Sequence, residues 1–551
     1  MRTRFQDRRR GIALIVVFVM IMLVSLAAYR FSFAMQSEYR LAKLYEEQQQ
    51  AREAARGGIE QACMLIDAPP SARIDLVSSQ ESRSDSDESP FRGMMKSMEF
   101  IESGTGIGTP RWRFVLISPR TNSENKTDGS GDRSGNSRVS TGRTDLDTDA
   151  NSWRWGFENE SAKIPINALR EWERAKPGHA RQVLARIPGM TPETIDPWLM
   201  QAGVLVPSLA SRLSDSPFGT ATSDDRSLFS SQWLGGDLNQ NYQIETMEQL
   251  WLEKRNRTST SSPRAASPDL SPTPVAMQRY FTKVSAHRNE RFDGTPRIDI
   301  NSQDLIALHR DLMAIWPQNL ADFVVAMRQY GPPRPPGRRS PATQGGAASP
   351  ASETVWSPNW SVPARYQIRS LLDLVNATIV IPGPVGASPS QTKRISSPFV
   401  SGIGANSNYL VNLFDVCSID RSPFYSGRID IMDAPWEVLM AIPSMDDSIA
   451  SRILSTRSDD SIRIQSNGTI AWLLQQNIVT VEKARELEPF ICARSDVYSV
   501  QVMGYLDDRS PVFRCTLTIN GCQRPSRPLE TKTWHAWDAG FNLASFDRNQ
   551  K

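Results

Sequence analysis

Apolar residues run almost unbroken from Ile12 to Tyr29, as IALIVVFVMIMLVSLAAY. The run is about 18 residues long, close to the ~20 that carry a helix across a bilayer. It contains no charged side chain, which would be costly in lipid. From Met35 to Ile66 the pattern changes to MQSEYRLAKLYEEQQQAREAARGGIEQACMLI, which lacks proline and is dominated by strong helix formers, with one soft spot at Gly57-Gly58. Leu41, Leu44, Gln48, Ala51, Ala55, Gly58, Ala62 and Leu65 recur at a three-four spacing and make one stripe of small or apolar residues. Together the segments predict one helix that continues to Asp67, where Pro69-Pro70 stop it. At 1.5 Å per residue it would reach roughly 80 Å. The small residues on the stripe predict close packing against neighbours without identifying them, and a coiled-coil stalk would carry the same stripe.

Beyond this helix the pattern breaks up. Arg111–Pro119 (RWRFVLISP) reads as a strand by its aromatic and β-branched content. Val497, Ser499, Gln501 and Met503 alternate with Tyr498, Val500 and Val502 as a period-two strand, and Val512–Ile519 offers a second before the Asn520-Gly521 turn signal. Polar or Pro/Ser-rich stretches at 78–90, 121–152, 257–274, 331–363 and 382–398 read as loops and linkers, 121–152 being the clearest disordered insertion. Between them a short pattern recurs as Lys163-Ile164-Pro165-Ile166-Asn167, Arg297-Ile298-Asp299-Ile300-Asn301 and Arg428-Ile429-Asp430-Ile431-Met432. Each copy leads into helix-forming sequence, a turn usually marked by proline, and a second helix. The copies lie too far apart for a solenoid repeat.

These units resemble the helix-hairpin-helix elements of DNA-binding proteins. Such hairpins hold backbone phosphate on a glycine-rich turn. Here the first turn, Ile187-Pro188-Gly189-Met190-Thr191, has one glycine, and the second, Ile315-Trp316-Pro317-Gln318-Asn319, has none. The third places Asp446 and Asp447 where phosphate would sit. Overall, 63 basic and 60 acidic residues leave a formal charge of only +3. That balance excludes an extended phosphate-binding face, so the units are read as packing modules and no nucleic acid is expected.

Candidate chemistry is sparse. The histidines are His179, His287, His309 and His535, none of them in a nucleophile motif, and no phosphate loop, dinucleotide fingerprint or H-E-x-x-H is present. Cys63, Cys417, Cys492, Cys515 and Cys522 form no C-x-x-C pair. Cys515 and Cys522 are close enough in sequence to bridge a hairpin in an oxidising compartment, and unpaired thiols fit equally. How Cys492 pairs, if it does, is left open with them. The Asp446-Asp447 and Asp507-Asp508 pairs could bind calcium, and solvated carboxylates explain them as well. No catalytic residue is assigned.

The amino end decides among three fates. Arg2, Arg4, Arg8, Arg9 and Arg10 precede Gly11 and hold this end in the cytoplasm. A secretory signal cleaved near Ser25-Leu26-Ala27, a plain signal-anchor, and cleavage at the glycine before the apolar helix all begin this way. The long helix that continues past the apolar run favours the third, because a signal peptide has no reason to be fused in register to a stalk.

RRRGIALIVV and the closing ARGGIEQA resemble the class III signal of type IV pilins and pseudopilins. Most of that family carry Glu at the fifth mature position, where this chain has Val16, a departure shared by the minor pseudopilin K of type II secretion systems. WRWGFENESAKIPIN (Trp153–Asn167), the Ser-Leu-Leu-Asp-Leu of Ser370–Leu374 and RSDVYSVQVMGY (Arg494–Tyr505) are similar to segments of the same family, in the same order. The resemblance implies cleavage between Gly11 and Ile12 by a prepilin peptidase and N-methylation of Ile12. It implies an α+β fold: a long N-terminal transmembrane and stalk helix, a pilin-like head with a small antiparallel sheet, and a large inserted helical domain with helix-hairpin-helix-like units. The expected order is a cytoplasmic leader (1–11), a transmembrane segment (12–29), the periplasmic continuation of the helix (30–68), head segments at 91–119 and 490–545, the insertion at 121–152, a helical domain at 153–330, a Pro-rich linker at 331–363 and further helical segments at 364–489.

By the same resemblance the protein is a single-pass protein of the bacterial inner membrane with its bulk in the periplasm. It is expected to be non-enzymatic, to associate with minor pseudopilins H, I and J and the major pseudopilin, and to sit at the tip of the pseudopilus. Calcium is the one cofactor the family suggests, in the head or helical domain, with no ligand set carried over to these residues. The readings that compete are a membrane-anchored DNA-uptake protein and an ordinary single-pass envelope protein.

Overall fold

The computed structural model describes residues 7–73, 98–100, 112–119, 153–204, 277–333, 356–381, 393–402, 407–505 and 513–534. The polar stretches at 78–90, 121–152 and 257–274 lie outside these, as do most of 331–363 and 382–398, the Asp507-Asp508 pair and His535.

Helix α1 (Asp7–Asp67) is one uninterrupted helix of 61 residues. It passes through Gly57-Gly58 without a break, because this turn is clamped against the sheet described below, and tertiary packing outweighs the weak local propensity of glycine. A 3-10 turn at Pro70–Ala72 follows the stop.

A seven-stranded antiparallel sheet lies against the far end of α1. Its strands are β1 (Met98–Phe100), β2 (Trp112–Pro119), β3 (Trp153–Trp155), β4 (Glu158–Asn159), β5 (Val497–Tyr505), β6 (Phe513–Asn520) and β7 (Arg527–Trp534). The main path runs β1-β2-β5-β6-β7, with β3 paired to β2 and β4 to β5. Register puts Val502 opposite both Leu116 and Cys515, and Val500 opposite Leu517. With a side-chain period of two, Tyr498, Val500 and Val502 therefore share a face with Leu116, Phe114, Cys515, Leu517 and Ile519. That face packs with Ala55, Ala62, Leu65 and Ile66 of α1 into one core. Residues 153–159, which sequence pattern assigns to the helical segment, belong to this sheet. Their strands are too short to show a period of their own and exist through pairing with β2 and β5.

The three recurrent segments fold alike. In the first, Ile164–Pro165 opens into α2 (Ile166–Ala175), α3 (His179–Leu184) and α4 (Pro192–Gln201). In the second, Ile298–Asp299 opens into α5 (Leu305–Met313), α6 (Gln318–Tyr330) and, further on, α7 (Ser407–Val416). In the third, Ile429–Asp430 opens into α8 (Trp436–Leu439), α9 (Asp447–Arg457) and three short helices, α10 (Asp460–Gln465), α11 (Trp472–Gln475) and α12 (Val481–Leu487).

Each unit is closed by a parallel two-residue pairing between its entry and a later segment: Ile164 with Phe281, Ile298 with Cys417, and Ile429 with Ile491. The residue after each entry pair (Ile166, Ile300, Ile431) is buried. In the second and third units an Asp turns the chain, Asp299 accepting from Asn301 N at 2.8 Å and Asp430 from Met432 N at 3.0 Å. An arginine of a later helix then returns to a carbonyl just past the entry pair: Arg328 Nη2 reaches Asn301 O at 2.9 Å, and Arg457 Nη1 reaches Ile431 O, one position earlier in the pattern, at 2.7 Å. The units are not separate modules. Their buried side chains form one core running from Ala162 to Ala493. The stretch read as a loop at 382–398 ends in a strand, Lys393–Ser396, which pairs with Thr378–Ile381.

All five cysteines are free thiols. Cys515 lies in the sheet core, and the five residues of extended β6 to Asn520 place it roughly 17 Å from the turn that carries Cys522. That exceeds the few ångströms a disulfide spans, so the Cys515–Cys522 bridge is ruled out.

Candidate functional site

Three features set this molecule apart: the exposed apolar length of α1, the seat of α1 on the sheet, and a charged joint where sheet and helical units meet. Gly11 and Ile12 lie on the backbone of α1. Val16 is 56% exposed, and large apolar side chains stay exposed from Leu14 through Leu44. This is the one helix among the described residues long and apolar enough to cross a membrane. Such a continuous uncovered apolar surface is far beyond what an isolated soluble domain tolerates.

The stripe of small residues divides in the middle. Leu41 and Leu44 are 65% and 53% exposed, whereas Ala51, Ala54, Ala55 and Ala62 are buried. Gln50 marks the border, where Trp112 Nε1 donates to its Oε1 at 2.7 Å. Beyond it the backbones approach closely. A Cβ on Gly58 would stand 2.7 Å from Val502 Cγ1 and 2.8 Å from Phe114 Cδ2, and one on Gly504 would stand 2.0 Å from the Ala51 carbonyl oxygen. The helix end is fastened by Asp67, whose carboxylate accepts from Ser526 N at 3.0 Å and Ser526 Oγ at 2.6 Å.

Asp496 is the hub of the joint. It is fully buried and accepts from Arg73 Nη2 at 2.5 Å, Arg288 Nε at 3.0 Å and Arg288 N at 2.7 Å. Arg73 follows the stalk, Arg288 belongs to the strand after the first unit, and Asp496 immediately precedes β5. One carboxylate thus ties three parts of the chain. Burial opposes its ionisation, but the guanidiniums of Arg73, Arg288 and Arg494 hold it well below the usual carboxylate range.

A second cluster lies close by. Asn159 Nδ2 donates to Asp430 Oδ2 and to Asp433 Oδ2, both at 2.7 Å, and Arg463 Nη2 reaches Asp433 Oδ1 at 2.8 Å. Burial, then the charge of Asp433, pushes the Asp430 carboxyl up, while Arg463 holds Asp433 down against its own burial. Lys163 bridges Glu160 at 2.8 Å and Glu158 at 3.2 Å, Thr282 Oγ1 donates to Glu160 at 2.6 Å, and Ser495 Oγ meets Ser161 Oγ at 2.8 Å. Of the three segments singled out in the sequence, Trp153–Asn167 and Arg494–Tyr505 therefore serve this joint, whereas Ser370–Leu374 packs within the helical units. Ser370 caps its 3-10 turn through Leu372 N at 3.0 Å and donates to Glu488.

The remaining candidate residues have structural partners. Asp446 caps α9 by accepting from Ile449 N at 2.8 Å, and Asp447 accepts from Trp436 Nε1 at 3.0 Å, so each carboxylate has a structural role in the turn. Among the described residues no group of three or more His, Cys, Asp or Glu could hold a metal. His309 Nε2 pairs with Asp322 at 2.7 Å, and His179 Nε2 meets Ala441 O at 2.9 Å, joining the first unit to the third. His287 is buried, and burial drives its pKa well below the ordinary value. The roles of Gln50, Arg73, Gly504 and Asp496 depend on contacts with distant segments, 62 residues away for Gln50 and 423 for Arg73, which local pattern does not show even where the segment itself was singled out. Comparisons with protein-family models, curated proteins and solved structures return no match to this chain.

Proposed function

We propose that the protein is a minor pseudopilin of the K type, placed at the tip of a type II secretion pseudopilus, where it initiates or caps assembly for export of folded proteins across the outer membrane. The observation that carries this reading is the division of α1 into an exposed apolar half and a half seated on an antiparallel sheet. A subunit that waits in a bilayer and is then drawn into a filament requires this arrangement: the same apolar surface is solvated by lipid first and by neighbouring helices afterwards. The bulk of the helical units beside the sheet favours an end position over one inside a filament. Val16 suits the foremost subunit, which has no subunit ahead whose amino group a fifth-position Glu would meet. In this reading the arginine leader stays cytoplasmic at the inner membrane, prepilin peptidase cuts between Gly11 and Ile12 and the new amino group is methylated. The partners are then minor pseudopilins H, I and J and the major pseudopilin.

Mass spectrometry of the mature amino terminus tests the proposal. N-methyl-Ile12 as the first residue supports it. A start near Ala28 identifies a secreted protein, a retained leader identifies an ordinary anchor, and either result overturns it.

A further inference from the structure

A buried guanidinium that lacks a direct ion pair is costly, and one cavity brings buried Arg494 together with the half-buried Arg297 and Arg428. It measures about 60 Å³, lies between the closing strands of the second and third units, and is lined by Arg297, Arg428, Arg494, His287, Glu488 and Thr469 among others. Among the described residues none of the three arginines forms an ion pair. Arg297 Nε donates to Asp415 O at 3.0 Å, Arg428 lies over the Tyr425 ring at 4.7 Å, and Arg494 Nη2 donates to the carbonyls of Arg288, at 2.7 Å, and Glu290. Arg494 is buried, and its Nε and Nη1 have no partner at all.

The acids nearby act on these arginines through charge alone, Asp415 on Arg297 and Arg494, Asp496 on Arg494 and Glu488 on Arg428, while their hydrogen bonds go to other groups. Asp496 holds Arg73 and Arg288, Asp415 accepts from Phe292 N at 2.8 Å, and Glu488 accepts from Ser370. Burial raises the carboxyls of Asp415 and Glu488 and keeps His287 neutral. Burial and the neighbouring Arg494 charge push Arg297 down to about 9, against the opposing charge of Asp415.

We infer that this cavity binds one small tetrahedral oxyanion of the phosphate or sulfate class. A guanidinium offers up to five N–H donors in a planar fork that matches such an oxyanion. The anion would link the entry of the second unit (Arg297), the entry of the third (Arg428) and the strand leading into β5 (Arg494), and so stiffen the joint between sheet and helical units. This inference is independent of the proposed secretion role.

Equilibrium dialysis of the full-length protein in detergent against radiolabelled inorganic phosphate, at constant ionic strength set by chloride, provides the test. The expected result is one phosphate per chain, displaced by sulfate and not by chloride, with a thermal midpoint that rises as phosphate is added. Arg297→Gln and Arg428→Gln are expected to bind phosphate at least about tenfold more weakly. Should neither variant fold, modification of the wild type by phenylglyoxal decides, with phosphate expected to protect Arg297 and Arg428. Absence of phosphate binding by the wild type, wild-type affinity in a folded variant, or modification that phosphate does not change each overturns the inference.

Discussion

Gly504 of β5 lies directly under Ala51 of α1, so close that a Cβ at position 504 would stand 2.0 Å from the Ala51 carbonyl oxygen and 2.8 Å from Ala55 N. Both obstacles are backbone. Gly504→Ala is expected to lower unfolding stability by about 2–3 kcal/mol, because the helix must lift from the sheet to admit one methyl group. Adding Ala51→Gly should not restore it, since the blocking atom remains. Denaturant unfolding of the two variants checks this, and rescue by the second change would show that the contact is not with the main chain.

The Asp496 hub makes a pH-dependent contribution. Its folded pKa is held down, so the stabilisation is fully present above the unfolded value of about 3.9 and is lost as pH falls through the folded one. Asp496→Asn should cost about 3–5 kcal/mol at pH 7 by leaving Arg73 and Arg288 uncompensated. The gap between variant and wild type should narrow on acidification below about pH 4. Urea unfolding across pH measures it, and a gap independent of pH would contradict the assignment.

The turns of the first and third units share a left-handed residue at the same place, Gly189 with φ 84° and Ser444 with φ 65°. Ser444 carries the strain that Gly189 avoids. Ser444→Gly is expected to stabilise by about 0.5–1 kcal/mol, and Gly189→Ala to destabilise by a similar amount. Thermal melts of both variants, read as shifts of opposite sign, check the equivalence of the units.

Arg457 donates to Ile431 O in the third unit as Arg328 donates to Asn301 O in the second. Arg457→Met keeps the aliphatic stem and removes the donors. A loss of about 1.5–3 kcal/mol is expected in equilibrium unfolding. A change within about 0.5 kcal/mol would mean that this carbonyl does not need this partner.

Leu44 is 53% exposed on α1 before the seat begins. If neighbouring pseudopilin helices cover this surface, Leu44→Ser should leave the folded body unchanged within about 0.5 kcal/mol and weaken co-purification with partner pseudopilins. Unchanged co-purification would argue that the surface serves the membrane alone.

Local sequence rules located the long helix, its stop at Pro69-Pro70, the core of β2, β5 and β6, and the three entry segments, because each rests on a period or a breaker within a few residues. They did not locate β1, β3, β4 or β7. Met98–Phe100 and Glu158–Asn159 are too short to show alternation, and Arg527–Trp534 reads as polar until its pairing with β6 is known. The recurrent entries were visible as a pattern, but their parallel closure was not, since the partners of Ile298 and Ile429 lie far along the chain at Cys417 and Ile491.

Taken alone, the order of residues determines where α1 begins to be apolar, that nothing in it carries charge through the span, and that a rigid rod follows. Those properties need only helix propensity and hydropathy, which act between neighbours. Which half of the rod is covered, where Gly504 must be bare, how Asp496 gathers Arg73 and Arg288, and why three guanidiniums share one cavity are decided only in the folded chain. Each depends on groups brought together from distant segments, whose charge and shape matter at distances of a few ångströms that no local pattern encodes.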